Sequence, residues 1–143
     1  MSNPSERSFD ARVPLEVAHQ ALEAIVAEAA RAVPEEACGL LLGAGGRITE
    51  ARAATNVALD KARHFEIDPA ALIDAHRAER GGGPELVGYY HSHPSGLPEP
   101  SVTDREQAAG DGKVWAIAAQ GMVRFWRDDP DGFEPLSYML AEA

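Results

Sequence analysis

Residues 91–104 read HSHPSGLPEPSVTD, and this stretch decides how the chain is read. The run before it, Glu85 to Tyr90 (ELVGYY), is short, apolar and aromatic, which predicts a strand. Along a strand, side chains two apart share a face. His91 and His93 therefore point the same way, and Ser92 points to the other side. Pro94, Gly96, Pro98 and Pro100 stop the strand and force a turn. The segment SVTDREQAA then reads as a helix start, with Asp104 in its first turn, able to face back toward the histidines. Two histidines and an aspartate leave one position open in a tetrahedron, a composition suited to catalytic zinc.

Each piece also has a plainer explanation. Ser101-x-x-Asp104 resembles a capping box with Asp in place of Glu, and Thr103-x-x-Glu106 fits one outright. A lone histidine is more often a satisfied polar residue than a ligand. Nothing structural, however, requires both histidines on one face, so the stretch as a whole is read as a zinc site of His91, His93 and Asp104.

The chain has 143 residues, enough for one domain with a sizeable core. Residues 1–12 read as a loose polar lead and 13–143 as a single domain. No apolar run approaches the roughly 20 residues that span a bilayer, so no membrane association is expected. A formal net charge of −10 argues against binding nucleic acid through its phosphates. The single cysteine, Cys38, excludes an internal disulfide and fits a cytoplasmic location. Within an apolar run it reads as a small core residue and not a nucleophile.

In chain order, Val13 to Val33 carries an apolar stripe at three- and four-residue steps and predicts a helix, with Val17 off the stripe and exposed. His19 lies at the border of that stripe. Cys38 to Leu42 predicts a buried strand, turned by Gly43, Gly45 and Gly46 into a second strand over Arg47 to Thr55. Gly39 marks a close backbone approach. Asn56 to Ala62 is a loop and His64 to Ile67 a short strand. Asp68 caps a helix running to about Arg80, with His76 near its packing face. After the central stretch, a short helix ends near Gly110. Lys113 to Ala119 and Met122 to Arg127 form a hairpin through Gln120-Gly121. Phe133 to Leu140 is one final strand, at an edge because Pro135 lacks a donor. This order predicts an α/β sandwich around a mixed sheet.

The pattern His91-x-His93, seven residues, Ser101, two residues, Asp104 resembles the signature of the JAMM (MPN+) zinc metallopeptidases. Glu36-Ala37-Cys38-Gly39-Leu40-Leu41-Leu42-Gly43 resembles the segment carrying that family's catalytic glutamate, and Phe65-Glu66-Ile67-Asp68 a segment between the two. The likeness covers roughly residues 13 to 128 and is closest to the compact bacterial members. It implies a cytidine-deaminase-like α/β/α fold and hydrolysis of a peptide or isopeptide bond at the glycine tail of a ubiquitin-like protein. For small bacterial members it implies a ubiquitin-like sulfur carrier as substrate. Deaminase chemistry itself is not expected, because H-x-E…P-C-x-x-C is missing.

In that chemistry a carboxylate takes a proton from water and returns it to the leaving amine. Glu36 is the expected residue and Glu35 the alternative; opposite faces of an extended segment decide between them. Ser101 is expected to donate a hydrogen bond to the developing oxyanion. Two other readings compete: a RadC-like protein of the same fold, associated with DNA repair, and a scaffold domain without catalysis. Glu36-Ala37-Cys38-Gly39 and the acidic charge favour the peptidase over the first. The presence of all three ligands favours it over the second.

Overall fold

The computed structural model describes residues 14–142; the polar lead expected over 1–12 lies outside them. Eight strands form one mixed sheet: β1 (Leu15–Ala18), β2 (Cys38–Ala44), β3 (Arg47–Ala54), β4 (Glu85–Ser92), β5 (Val114–Ala119), β6 (Met122–Asp129), β7 (Gly132–Leu136) and β8 (Tyr138–Ala141). Among the described residues three helices accompany them: α1 (His19–Ala32), α2 (Pro69–Arg80) and α3 (Val102–Gln107). The spatial order is β7-β6-β5-β4-β2-β3-β1-β8. β7 and β8 stand at opposite ends of that order, yet Ser137 alone separates them in the chain. The sheet therefore curls until its edges approach.

The expected N-terminal helix is corrected here. Its first residues form strand β1, in which Leu15 and Val17 are buried and Glu16 is exposed. Val17 misses the helical stripe because it belongs to a period of two. It pairs with Ile48 on one side and Leu140 on the other, and is fully buried rather than exposed. The helix begins at His19, which is exposed and lies 3.0 Å from Glu23.

The single C-terminal strand is also corrected. Its first half pairs with β6, placing Pro135 opposite Trp126 at an edge, while its second half crosses to pair in parallel with β1. The stretch 64–67 is not a strand: a lone bridge joins Asn56 and Ile67. His76 is exposed; α2 packs through Ala71, Leu72 and Ala75 instead.

The hairpins follow their turn chemistry. Gln120 and Gly121 have φ of 54° and 75°, and Gly45 and Gly46 have 50° and 74°. Both central residues of such two-residue turns need positive φ. The core divides by strand alternation. Leu41 and Val87 pack with Ala21 and Ile25 of α1, whereas Leu40, Leu42 and Leu86 pack with Ala75 of α2. The helices thus cover opposite faces of the central strands. Gly39 lies where any side chain would collide with the Tyr90 ring and the Arg52 carbonyl.

Candidate metal centre and the cleft beside it

β4 runs two residues further than its apolar stretch, through His91 and Ser92. It lies between β2 and β5, so His91 is fully buried at the C-terminal end of a central strand. Its ring stacks on Phe65 (centroids 4.2 Å apart, planes 16° apart) and meets Trp115 edge-on at 5.7 Å. His93 follows just past the strand. Its backbone N–H donates to the Ala118 carbonyl at 2.8 Å, which ties it to β5.

The proline-rich turn is held at two points. Gln120 Nε2 donates to the Gly96 carbonyl at 3.1 Å, and Trp126 Nε1 donates to the Pro98 carbonyl at 3.2 Å. It delivers Ser101 to the N-cap of α3. The capping box forms on Ser101 and Asp104, not on Thr103 and Glu106: Asp104 N donates to Ser101 Oγ at 3.0 Å, and Ser101 N donates to Asp104 Oδ2 at 2.9 Å. The helix-cap reading of Asp104 is therefore correct, and it does not exclude the ligand reading, because the same Oδ2 faces the histidines.

The ligand atoms converge. His91 Nε2 lies 3.1 Å from His93 Nε2 and 3.1 Å from Asp104 Oδ2, and His93 Nε2 lies 3.2 Å from the same oxygen. His93 Nδ1 is 2.7 Å from the Leu97 carbonyl, which can only accept. The ring proton therefore sits on Nδ1, leaving the Nε2 lone pair aimed into the cluster. Three potential ligand atoms this close can share one cation. Tetrahedral zinc with bonds of roughly 2.0–2.1 Å separates its ligands by about 3.4 Å, so the triangle is close to the size required. His91, His93 and Asp104 form a candidate metal site, as the ligand spacing predicts.

Electrostatics separate the two histidines. Burial pushes the His91 imidazole below its usual value, against the pull of Asp104, favouring the neutral ring that ligates metals. Burial acts the same way on His93 but is outweighed by hydrogen bonding to Asp104 and Leu97, so His93 is raised. Asp104 is opposed by burial, yet its bonds to both histidines and to Ser101 hold it well below the usual carboxylate range.

Glu36 and Glu35 take opposite sides: Glu36 is 7% exposed, and Glu35 is on the surface. Glu36 lines an open cleft together with His93 and Ser101, walled by Ala62, Arg63 and residues 94–97. Burial pushes its carboxyl up to about 7; nearby His93 lowers it, and Asp104 and Asp60 add to the rise. A carboxyl poised near neutrality suits proton transfer in both directions. Cys38, by contrast, is buried, and its thiol is pushed up to about 12, chiefly by that burial. It has no thiolate character, as expected of a core cysteine.

Ser92, Phe65 and Asn56 are structural members of the site to which residue spacing alone assigns no role. The pairing of Ser92 is hidden in the sequence because its partner is the backbone of Ala37, 55 residues away. Phe65 carries a signal in its resemblance to a family segment, and its stack on His91 supplies the physical reason.

A match to the family of prokaryotic homologs of the JAB domain covers residues 18–129. The chain belongs to that family, within the JAMM/MPN group, and carries the group's His-His-Asp constellation. It is 39% identical over 88 residues to a desampylase of Haloferax volcanii, a match covering 60% of this chain and 63% of that protein. It is 33% identical over 81 residues to a histone deubiquitinase of Xenopus laevis, covering 52% of this chain and 10% of the relative. The chain thus spans less than two thirds of either relative. A solved protein from Desulfitobacterium hafniense superposes with a TM-score of 0.78 at 26% identity, covering 90% of this chain and 93% of that one.

Proposed function

We propose that this protein is a zinc-dependent peptidase or isopeptidase that cuts after the Gly-Gly tail of a ubiquitin-like protein. The observation that carries this is the convergence of three ligand atoms beside a cleft lined by a buried glutamate and a helix-capping serine. His91, His93 and Asp104 would hold the zinc. A bound zinc ion supplies Lewis acidity toward water and the scissile carbonyl.

Glu36 removes a proton from the attacking water and later hands it to the departing amine. Ser101 Oγ accepts from Asp104 N, so its hydroxyl hydrogen stays free to donate to the oxyanion that develops in the cleft. His93 Nδ1 donates to Leu97, fixing the ring so that Nε2 stays turned toward the ligand cluster.

The substrate reading is supported by relatives that are a desampylase and a deubiquitinase. Within it we assign a ubiquitin-like sulfur carrier, whose C-terminal extension would be removed to expose Gly-Gly. Glycines let a tail backbone lie close to a metal where larger side chains would clash. Ala62 and Arg63 supply one wall for that tail. Helices on both faces of a mixed sheet also favour kinship with the cytidine-deaminase-like fold.

The test is cleavage of such a carrier bearing a short extension, read by intact mass. Loss of the extension at Gly-Gly is expected, and replacing the penultimate glycine by a bulky residue should suppress it strongly. Equal cutting of unrelated unstructured peptides would show a general peptidase instead.

A further inference from the structure

We propose that Asn56 is a positioning residue for Glu36: its amide fastens the acid's backbone, and with it one wall of the cleft, in place. The inference rests on the peptidase reading and adds a residue to it. Glu36 precedes the first residue of β2, so the sheet ladder does not hold it. The β2–β3 pairing ends at Cys38 opposite Ala54. Two residues further along each strand, the position facing Glu36 is Asn56.

There the side chain replaces the missing ladder. Asn56 Nδ2 donates to the Glu36 carbonyl at 3.1 Å and to the His64 carbonyl at 3.1 Å. Its Oδ1 accepts from Ala58 N at 3.0 Å and from Glu66 N at 3.1 Å. Both donor hydrogens and both acceptor sites of the amide are used. The same loop returns at its tip, where Glu36 N donates to the Lys61 carbonyl at 2.7 Å, and Ala62 and Arg63 then line the cleft. The side chain of Asn56 thus closes the base of the loop, and the loop grips the residue that carries the proton.

An ordinary loop-closing asparagine would need only the contacts to Ala58, His64 and Glu66. The fourth bond, to Glu36, links loop closure to the acid. Proton transfer depends on placement, and a displacement of about 1 Å can cost on the order of 100-fold in rate.

The test compares Asn56→Asp and Asn56→Ala with wild type, well below the melting temperature of each. Asn56→Asp keeps the shape and the acceptor but cannot donate to Glu36 or His64. Two readouts are needed: turnover of a Gly-Gly-tailed carrier by the zinc-loaded enzyme, and amide exchange of the metal-free protein. Both variants should bind zinc as wild type does. In Asn56→Asp, kcat should fall on the order of 100-fold with KM nearly unchanged. The Glu36 amide should exchange faster, while the Ala37 amide, held by Ser92, stays protected. Wild-type kcat in Asn56→Asp, or a loss confined to KM, would overturn the proposal. So would unchanged exchange at Glu36. Absence of any cleavage by the zinc-loaded wild type would instead overturn the peptidase reading, and the part Asn56 plays in turnover with it. The exchange readout would then still report the fastening.

Discussion

The Ser92 hydroxyl accepts the backbone N–H of Ala37 at 2.8 Å, and Ser92 N donates back to the Ala37 carbonyl at 3.0 Å. Ser92 stands between the two histidines, and Ala37 follows Glu36. This reciprocal pair extends the register of the β2–β4 ladder to the residue beside the acid. The buried serine is the part of His-x-His that faces away from the ligands and still serves the site.

Ser92→Ala should leave the Ala37 N–H without its side-chain acceptor. Leaving a buried donor unpaired costs about 1–3 kcal/mol. Urea unfolding of the metal-free protein should show a loss in that range with the m-value unchanged. A neutral substitution would mean that the pairing contributes nothing.

Asp104→Asn separates the two duties of this residue. Its side-chain oxygen can still accept from Ser101 N, so the cap of α3 survives. The negative charge facing both histidines is lost. Zinc binding should weaken severely while the melting temperature of the metal-free protein moves only a few degrees. Unchanged affinity by competition with a chelator would remove Asp104 from the ligand set.

Glu36→Gln should bind zinc normally and lose turnover by 100-fold or more, because an amide cannot carry the proton, a role worth roughly 10²–10⁴-fold. Glu35→Gln should be silent, since Glu35 is on the surface. The same Glu36 substitution makes a pH prediction for the metal-free protein. The Glu36 carboxyl is raised from 4.5 to about 7, so the folded state holds its proton more tightly than the unfolded chain. Its contribution is favourable below about 4.5 and is lost as pH rises through about 7. Glu36→Gln should therefore raise the urea midpoint more at pH 8 than at pH 5. An equal shift at both would contradict the burial effect.

Phe65→Leu tests the stack on His91. A leucine retains most of the apolar volume but not the flat face that orients the imidazole. Hydrogen-bonded supports of a metal ligand typically change affinity by about 10–100-fold. A drop in zinc affinity near the lower figure is expected, with the fold intact by circular dichroism. Unaltered affinity would make Phe65 a packing residue alone.

Much of the site is legible in the sequence because its parts are local. His91 and His93 share a face by strand geometry, and Asp104 lies one turn into the next helix. Glu36 and Glu35 are neighbours in the sequence, and burial is what tells them apart. Other features depend on partners far away in the chain. Four residues of β1 carry too little pattern to stand apart from the helix that follows, and only the misfit of Val17 points to a strand. The split of the last strand at Ser137 reflects the curl of the whole sheet, which no local pattern encodes. Phe65 and Ile67 alternate like strand residues, but their segment is held by a lone bridge and by the Asn56 side chain and has no ladder.

The most direct measurement is elemental analysis of purified protein, comparing wild type with the His91→Ala, His93→Ala double variant. The expected result is about one zinc per wild-type chain, the stoichiometry of a single three-residue site, and background metal in the folded double variant. Full zinc occupancy in the double variant, or none in wild type after incubation with zinc, would contradict the site on which the whole reading stands.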